Sequence, residues 1–112
     1  MMPKTLGFVV LACAVVLPAQ AQTAAPVSGN IDAAKGKISM CIGCHGIPMY
    51  KTAYPEVYSV PMIAGQSPDY IQKALQEYRA GERSHPSMRG IAKSLTDQDI
   101  ADVAAYYGKA TK

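Results

Sequence analysis

The chain has no tryptophan and only one phenylalanine, so these two bulky, largely apolar fillers contribute almost nothing to its core. No stretch alternates apolar and polar residues with a period of two, and no segment repeats, which removes the signals for sheet strands and repeat arrays. Charge of either sign is scarce: 11 Lys and Arg face 8 Asp and Glu, a formal +3, with no basic cluster. That balance argues against a nucleic-acid surface. The longest apolar run, residues 6–17, ends at Pro18 and falls well short of the ~20 residues that cross a bilayer.

What the N-terminus does have is the grammar of export. Lys4 supplies a basic start, residues 6–17 an apolar stretch, and "PAQA" (18–21) a small-x-small ending, so residues 1–21 are expected to be a signal peptide cleaved after Ala21. Cys13 lies in the apolar run and faintly suggests a lipoprotein acceptor, the minor alternative. Cleavage removes Lys4 and Cys13, leaving two cysteines and a formal +2. A disulfide between these two would be chemically permitted in an oxidising compartment but closes so small a loop that it stabilises little.

Residues 22–29 are small, polar and proline-containing and read as a flexible lead-in, with the folded domain over 30–112. Three helices are signalled. The first is expected over 31–41, with Asn30 as N-cap and Cys41 at its C-terminal end. The second follows Ser67 and Pro68 and ends at Gly81, with Ile71, Ala74, Leu75 and Tyr78 as its apolar stripe. The last starts at Thr96, with Asp99 completing a capping box and Leu95 facing Ile100, and is expected to stop at Gly108. Asp97, Asp99 and Asp102 read as helix-start charges. The prolines at 48, 55 and 61 keep residues 46–66 irregular, and a loop that long suggests that it wraps something. So few helices give a thin core, of the kind that leans on a non-protein element.

The chemistry concentrates in "CIGCHG" (41–46). Cys-x-x-Cys-His is the spacing for covalent attachment of a c-type haem: two thiols one turn apart reach the two vinyl groups on one haem edge, and His45 then offers Nε2 to the iron. Two readings are weaker. A redox dithiol would want a preceding strand and a βαβ context, and a zinc site would need Cys41, Cys44, His45 and His85 together, with a histidine awkwardly adjacent to a ligating cysteine.

The chain over roughly 30–110 resembles a class I cytochrome c of the small bacterial periplasmic kind, similar to the single domains of tandem dihaem cytochromes. "CIGCHG" carries the resemblance, together with "PMIAGQ" (61–66), "YIQKALQEYRAGER" (70–83) and "SMRGIAKSLTDQDIADVAAYY" (87–107). It implies an all-α cytochrome c fold, three main helices plus a short one wrapped round the haem. It also implies a set of roles: thioethers from Cys41 and Cys44, His45 and Met88 as axial ligands, the Pro61 carbonyl accepting the His45 Nδ1–H, and Ile63 packed on the porphyrin. Met40 and Met49 are assigned no ligation, and Met49 is expected to pack at the haem edge. His85 is the challenger for the sixth position, its ordinary reading being a surface histidine in a loop. The family places a small residue where the first helix crosses the last. Gly36 is the glycine available, with Ala33 or Ala34 as substitutes and Tyr106 or Tyr107 as partner.

Function follows from the same resemblance. His/Met ligation leaves no open iron position, which implies an electron-transfer protein rather than an enzyme. The expected location is the periplasm and the expected partners are a redox donor and acceptor, such as a respiratory complex, a terminal oxidase or a periplasmic dehydrogenase. A fixed subunit of a larger complex is the alternative, and a gas-binding or peroxidatic haem a more distant one.

Overall fold

The structure is a computed structural model describing residues 27–53 and 58–110, so the expected signal peptide and most of the lead-in lie outside the described residues. Five helices follow in order: α1 (Ile31–Ala34), α2 (Ser39–His45), α3 (Pro68–Ala80), α4 (Pro86–Lys93) and α5 (Asp97–Lys109), with no strand among the described residues. The all-α expectation holds.

The helix starts are written in side chains. The Asn30 carboxamide oxygen accepts from the backbone N–H of Asp32 and Ala33. The Ser67 hydroxyl accepts from Tyr70 N–H, with Pro68 at the first helical position where it has no bond to lose. Thr96 and Asp99 satisfy each other's backbone N–H groups reciprocally. Each bond spans two or three residues, which is why the sequence could place them.

The expected first helix is two. Residues 35–38 form turns, in which Lys35 N–H bonds Asp32 C=O at 3.3 Å and Lys37 N–H bonds Ala34 C=O at 2.7 Å, a tighter winding than an α-helix. Gly36 lies in this break with nothing within 4 Å of where a Cβ would stand, so neither packing nor helix propensity bears strongly on it. The helix that resumes does not end at Cys41 but carries the whole motif to His45.

The crossing of chain start and last helix is not at Gly36 either. A Cβ on Gly29 would lie 2.0 Å from the Ala101 carbonyl oxygen and 2.8 Å from Ala105 Cβ, so Gly29 lies directly on α5. Ala34 is fully buried beside it in the α1–α5 contact. Around this crossing, Asn30 N–H, Gln98 Nε2 and Lys37 Nζ all donate to the Asp102 carboxylate at 2.7–2.8 Å. Asp102 is 1% exposed. It is therefore a buried tie between chain start and α5 rather than a helix-start charge. Burial alone would raise its pKa, but the Lys37 ammonium, Asn30 and Gln98 hold it below the ordinary value. Ser28 C=O accepts from Gln98, so the last two residues of the expected lead-in are held on the domain.

Helix α5 also runs past Gly108. A Cβ there would lie 2.4 Å from Pro68 Cγ, so this glycine permits the close approach of α5 to the start of α3. Tyr107 C=O accepts from Gly65 N–H at 2.8 Å, docking the loop before α3 on the same end. Ile71, Leu75, Ala92, Leu95, Ile100, Val103, Ala104 and Tyr107 form one core with Cys41. The staple pair Leu95 and Ile100 lies within it, and Arg79 reaches from α3 to Leu95 C=O and Asp97. The short helix anticipated by the resemblance is α4. No helix among the described residues is long and apolar enough to cross a membrane.

Candidate functional site

Helices α2, α3, α4 and the loop over 58–66 enclose a cavity of about 370 Å³. From α2, Cys41, Cys44 and His45 line it. The i, i+3 spacing in a true helix puts both sulfurs on one face, one turn apart. Cys41 and Cys44 are not joined in a disulfide, and burial pushes the Cys41 thiol up in pKa.

The loop delivers the next contacts. His45 Nδ1 lies 2.6 Å from the Pro61 carbonyl oxygen. A carbonyl can only accept, so Nδ1 carries a proton, and the tautomer that this bond selects has its lone pair on Nε2. Met62 and Ile63 line the cavity beside this bond. Proline at 61 and the left-handed Gly65 (φ 79°) shape the turn that brings the loop back to α5.

On the other side lie Ile71, Ala74, Leu75 and Tyr78, the apolar stripe of α3. The stripe faces this cavity as much as α5, a use of amphipathicity that periodicity alone does not distinguish from ordinary core packing. Met88 and Ile91 of α4 complete the wall. His85 lies in the connection just ahead of Pro86, as expected, but it has a role there: it is the N-cap of α4, its Nδ1 accepting from Met88 N–H at 3.4 Å, and it lines the same cavity. Pro86 at the first helical position starts the turn that carries Met88.

All six residues proposed from the sequence, Cys41, Cys44, His45, Pro61, Ile63 and Met88, thus meet round one cavity. Met49 does not: it is 80% exposed, stands at φ 58°, and takes no part in the lining. Sequence reasoning missed Thr52, Tyr58, Gln66, Tyr70 and Arg83, which also line it. Only the run of polar-aromatic residues flanking the motif could have hinted at them.

The donor set fits a haem. Two thiols stand one turn apart, an imidazole has its spare proton committed, a thioether is available, and the remaining wall is largely apolar. Among the described residues no group of three or more His, Cys, Asp or Glu could hold a metal ion, so the zinc alternative lacks ligands.

Comparison with known proteins agrees. The Cytochrome c family model matches residues 33–109. A cytochrome c4 of Thiocapsa roseopersicina is 38% identical over 92 residues, covering 81% of this chain and 45% of the relative. Cytochrome c-554(548) of Halomonas halodenitrificans is 37% identical over 83 residues, covering 71% of this chain and 95% of the relative. The cytochrome subunit of sulfide dehydrogenase of Chlorobaculum tepidum is 35% identical over 72 residues, covering 64% and 61%. The chain spans less than half the length of the cytochrome c4 relatives and nearly all of the shorter cytochrome. With the attachment spacing of Cys41, Cys44 and His45 in place, the chain belongs to the cytochrome c family, whose members carry covalently bound haem c.

Proposed function

We propose that this protein carries one electron at a time between a donor and an acceptor protein in the periplasm, on a haem c joined through Cys41 and Cys44 and ligated by His45 and Met88. The observation that carries the reading is the placement of a proton-committed imidazole and a methionine on one cavity that also holds the two thiols. Bound there, the haem supplies an iron that alternates between its ferrous and ferric states. Every other part of the work belongs to the chain.

Pro61 holds the His45 proton on Nδ1 and so keeps Nε2 basic and correctly oriented. With the haem bound, the Met88 thioether would favour the ferrous state, and ligation by both His45 and Met88 would leave no position for oxygen or peroxide. Ile63, Ile71, Leu75 and Ile91 exclude water, which keeps reorganisation on electron exchange small. Around the attachment motif Ile42, Ile47 and Met49 are exposed. These apolar side chains suit the small, short-lived contact of a redox encounter.

A fixed-subunit reading has specific support. One relative is named as the cytochrome subunit of a sulfide dehydrogenase, whereas another, from Stutzerimonas stutzeri, is named as a thiosulfate dehydrogenase electron acceptor, which suits the carrier reading. Sizing the native protein from periplasm separates the two: a free carrier elutes as a small protein, a subunit with its complex. For the main reading the test is a haemochrome assay after denaturation together with addition of CO to the reduced protein. Haem that stays with the unfolded chain and a spectrum unmoved by CO are expected. Haem released by denaturation, or a CO-shifted band, overturns it.

A further inference from the structure

Helix α4 brings Met88 to the cavity with little to hold it there. It is eight residues long, too short to persist on helix propensity alone, and only Ala92 among them is fully buried. Met88 and Ile91 are half-buried against the core. Fraying of the first turn would carry the Met88 backbone, and with it the thioether, away from the cavity.

His85 closes that turn twice. Its backbone is extended (φ −159°, ψ 113°), its carbonyl accepts from Arg89 N–H at 2.9 Å, and its Nδ1 accepts from the N–H of Met88 itself at 3.4 Å. Pro86, at the first helical position, has no N–H to cap. The capping bond thus falls on the very residue whose side chain lines the cavity.

Histidine is an unusual choice for this task. Ser, Thr, Asn and Asp are the preferred caps, and Asn30, Ser67 and Thr96 fill that role on α1, α3 and α5. The imidazole differs from them in lining the cavity as well. An Nδ1 that accepts leaves the proton of the neutral ring on Nε2. While it caps, the ring therefore has no spare lone pair for a metal, and capping and ligation by His85 exclude each other.

We infer that His85 is a positioning residue for Met88: its capping bond keeps the first turn of α4 wound and so sets how often the thioether leaves the iron. This rests on the His45 and Met88 ligation proposed above and adds a control over the lability of one ligand.

The test uses the oxidised holoprotein and imidazole, which can reach the iron only after Met88 has left it. His85→Phe keeps a ring in the cavity wall and removes the acceptor, whereas His85→Asn keeps an acceptor and removes the ring. His85→Phe is expected to bind imidazole about fivefold more tightly than the wild type, the factor that a lost helix cap represents. It should also lose the methionine–iron charge-transfer band at a lower temperature. His85→Asn should stay close to the wild type in both respects. Thr96→Ala, which removes a cap from α5, should lower the unfolding midpoint and leave imidazole affinity unchanged. If His85→Phe does not accumulate, His85→Ala takes its place. Unchanged affinity in the variant without an acceptor overturns the proposal. So does an equal rise in His85→Asn, which would mean that ring packing matters rather than capping, or in Thr96→Ala, which would mean general loosening. A wild type without the charge-transfer band removes the ligation reading itself.

Discussion

Gly29→Ala isolates the crossing that the structure relocates. The added Cβ would lie 2.0 Å from Ala101 O, 2.6 Å from Ala101 C and 2.8 Å from Ala105 Cβ, two of them backbone atoms of a helix that cannot yield locally. The chain start must lift off α5 by an ångström or more, loosening the hydrogen bonds of Asn30 N–H and Gln98 to Asp102. Overpacking of this kind costs about 1–3 kcal/mol, and the stiffer unfolded chain adds a further penalty-free gain of only about 0.4–1 kcal/mol in favour of alanine where it fits, which here it does not. The net expectation is a loss of about 2 kcal/mol, or roughly 8–16 °C in Tm for a domain of this size. Two other glycines serve as controls. Neither Gly36 nor Gly90 has anything within 4 Å of where a Cβ would stand. Gly90→Ala, in the exposed middle of α4, should stabilise by about 0.5–1 kcal/mol, and Gly36→Ala should be close to neutral. Thermal unfolding followed at the Soret band reads all three. If Gly29→Ala melts with the wild type while Gly36→Ala falls, the crossing lies at Gly36.

Three further outcomes follow from the buried polar groups. Asp102→Ala leaves Asn30 N–H, Gln98 and Lys37 without their acceptor and should cost about 2–3 kcal/mol in denaturant unfolding; removing Lys37 as well should cost less than the sum, because the pair shares one interaction. Tyr107 has a buried hydroxyl with no hydrogen-bond partner among the described residues, and burial pushes its pKa up to about 12; Tyr107→Phe should therefore be neutral or stabilising by about 1 kcal/mol, and a clear destabilisation would reveal a partner for that hydroxyl. Lys37 and the Thr96 cap hold Asp99 down at a pKa of about 2, and Asp102 is lowered too. Carboxyls depressed in the fold add stability that is present above their unfolded pKa and lost as pH falls through the folded one. Stability should thus decline between about pH 4 and pH 2, and Asp99→Asn should flatten that decline; an acid transition unaltered by the substitution would refute the assignment.

What was legible in the sequence is what is local. Asn30, Ser67 and the Thr96–Asp99 box bond to backbone within three residues, so their roles can be read from order alone. The attachment spacing is equally local, since Cys41, Cys44 and His45 act within two turns of one helix. The misreadings involve partners far along the chain. By position Gly36 reads as the crossing glycine of the first helix and Gly108 as a helix stop, yet one faces open space and the other meets Pro68, 40 residues earlier in the chain. Asp102 follows two first-turn acids and looks like a third, but its partners Asn30 and Lys37 lie more than 60 residues away. His85 looked like a loop residue because its capping bond involves a helix that the short, proline-led segment only weakly announces. Arg83 lies past the end of α3 in the sequence, and only the fold shows that, among the described basic residues, it lines the cavity.

The most direct measurement is the far-red absorption of the oxidised protein, where a methionine sulfur bonded to ferric haem gives a weak charge-transfer band. The band should be present in the wild type and absent in Met88→Ala, with haem still attached to the denatured chain in both. A band that survives the loss of Met88, or one missing from the wild type, contradicts ligation by His45 and Met88 and with it the electron-transfer site described above.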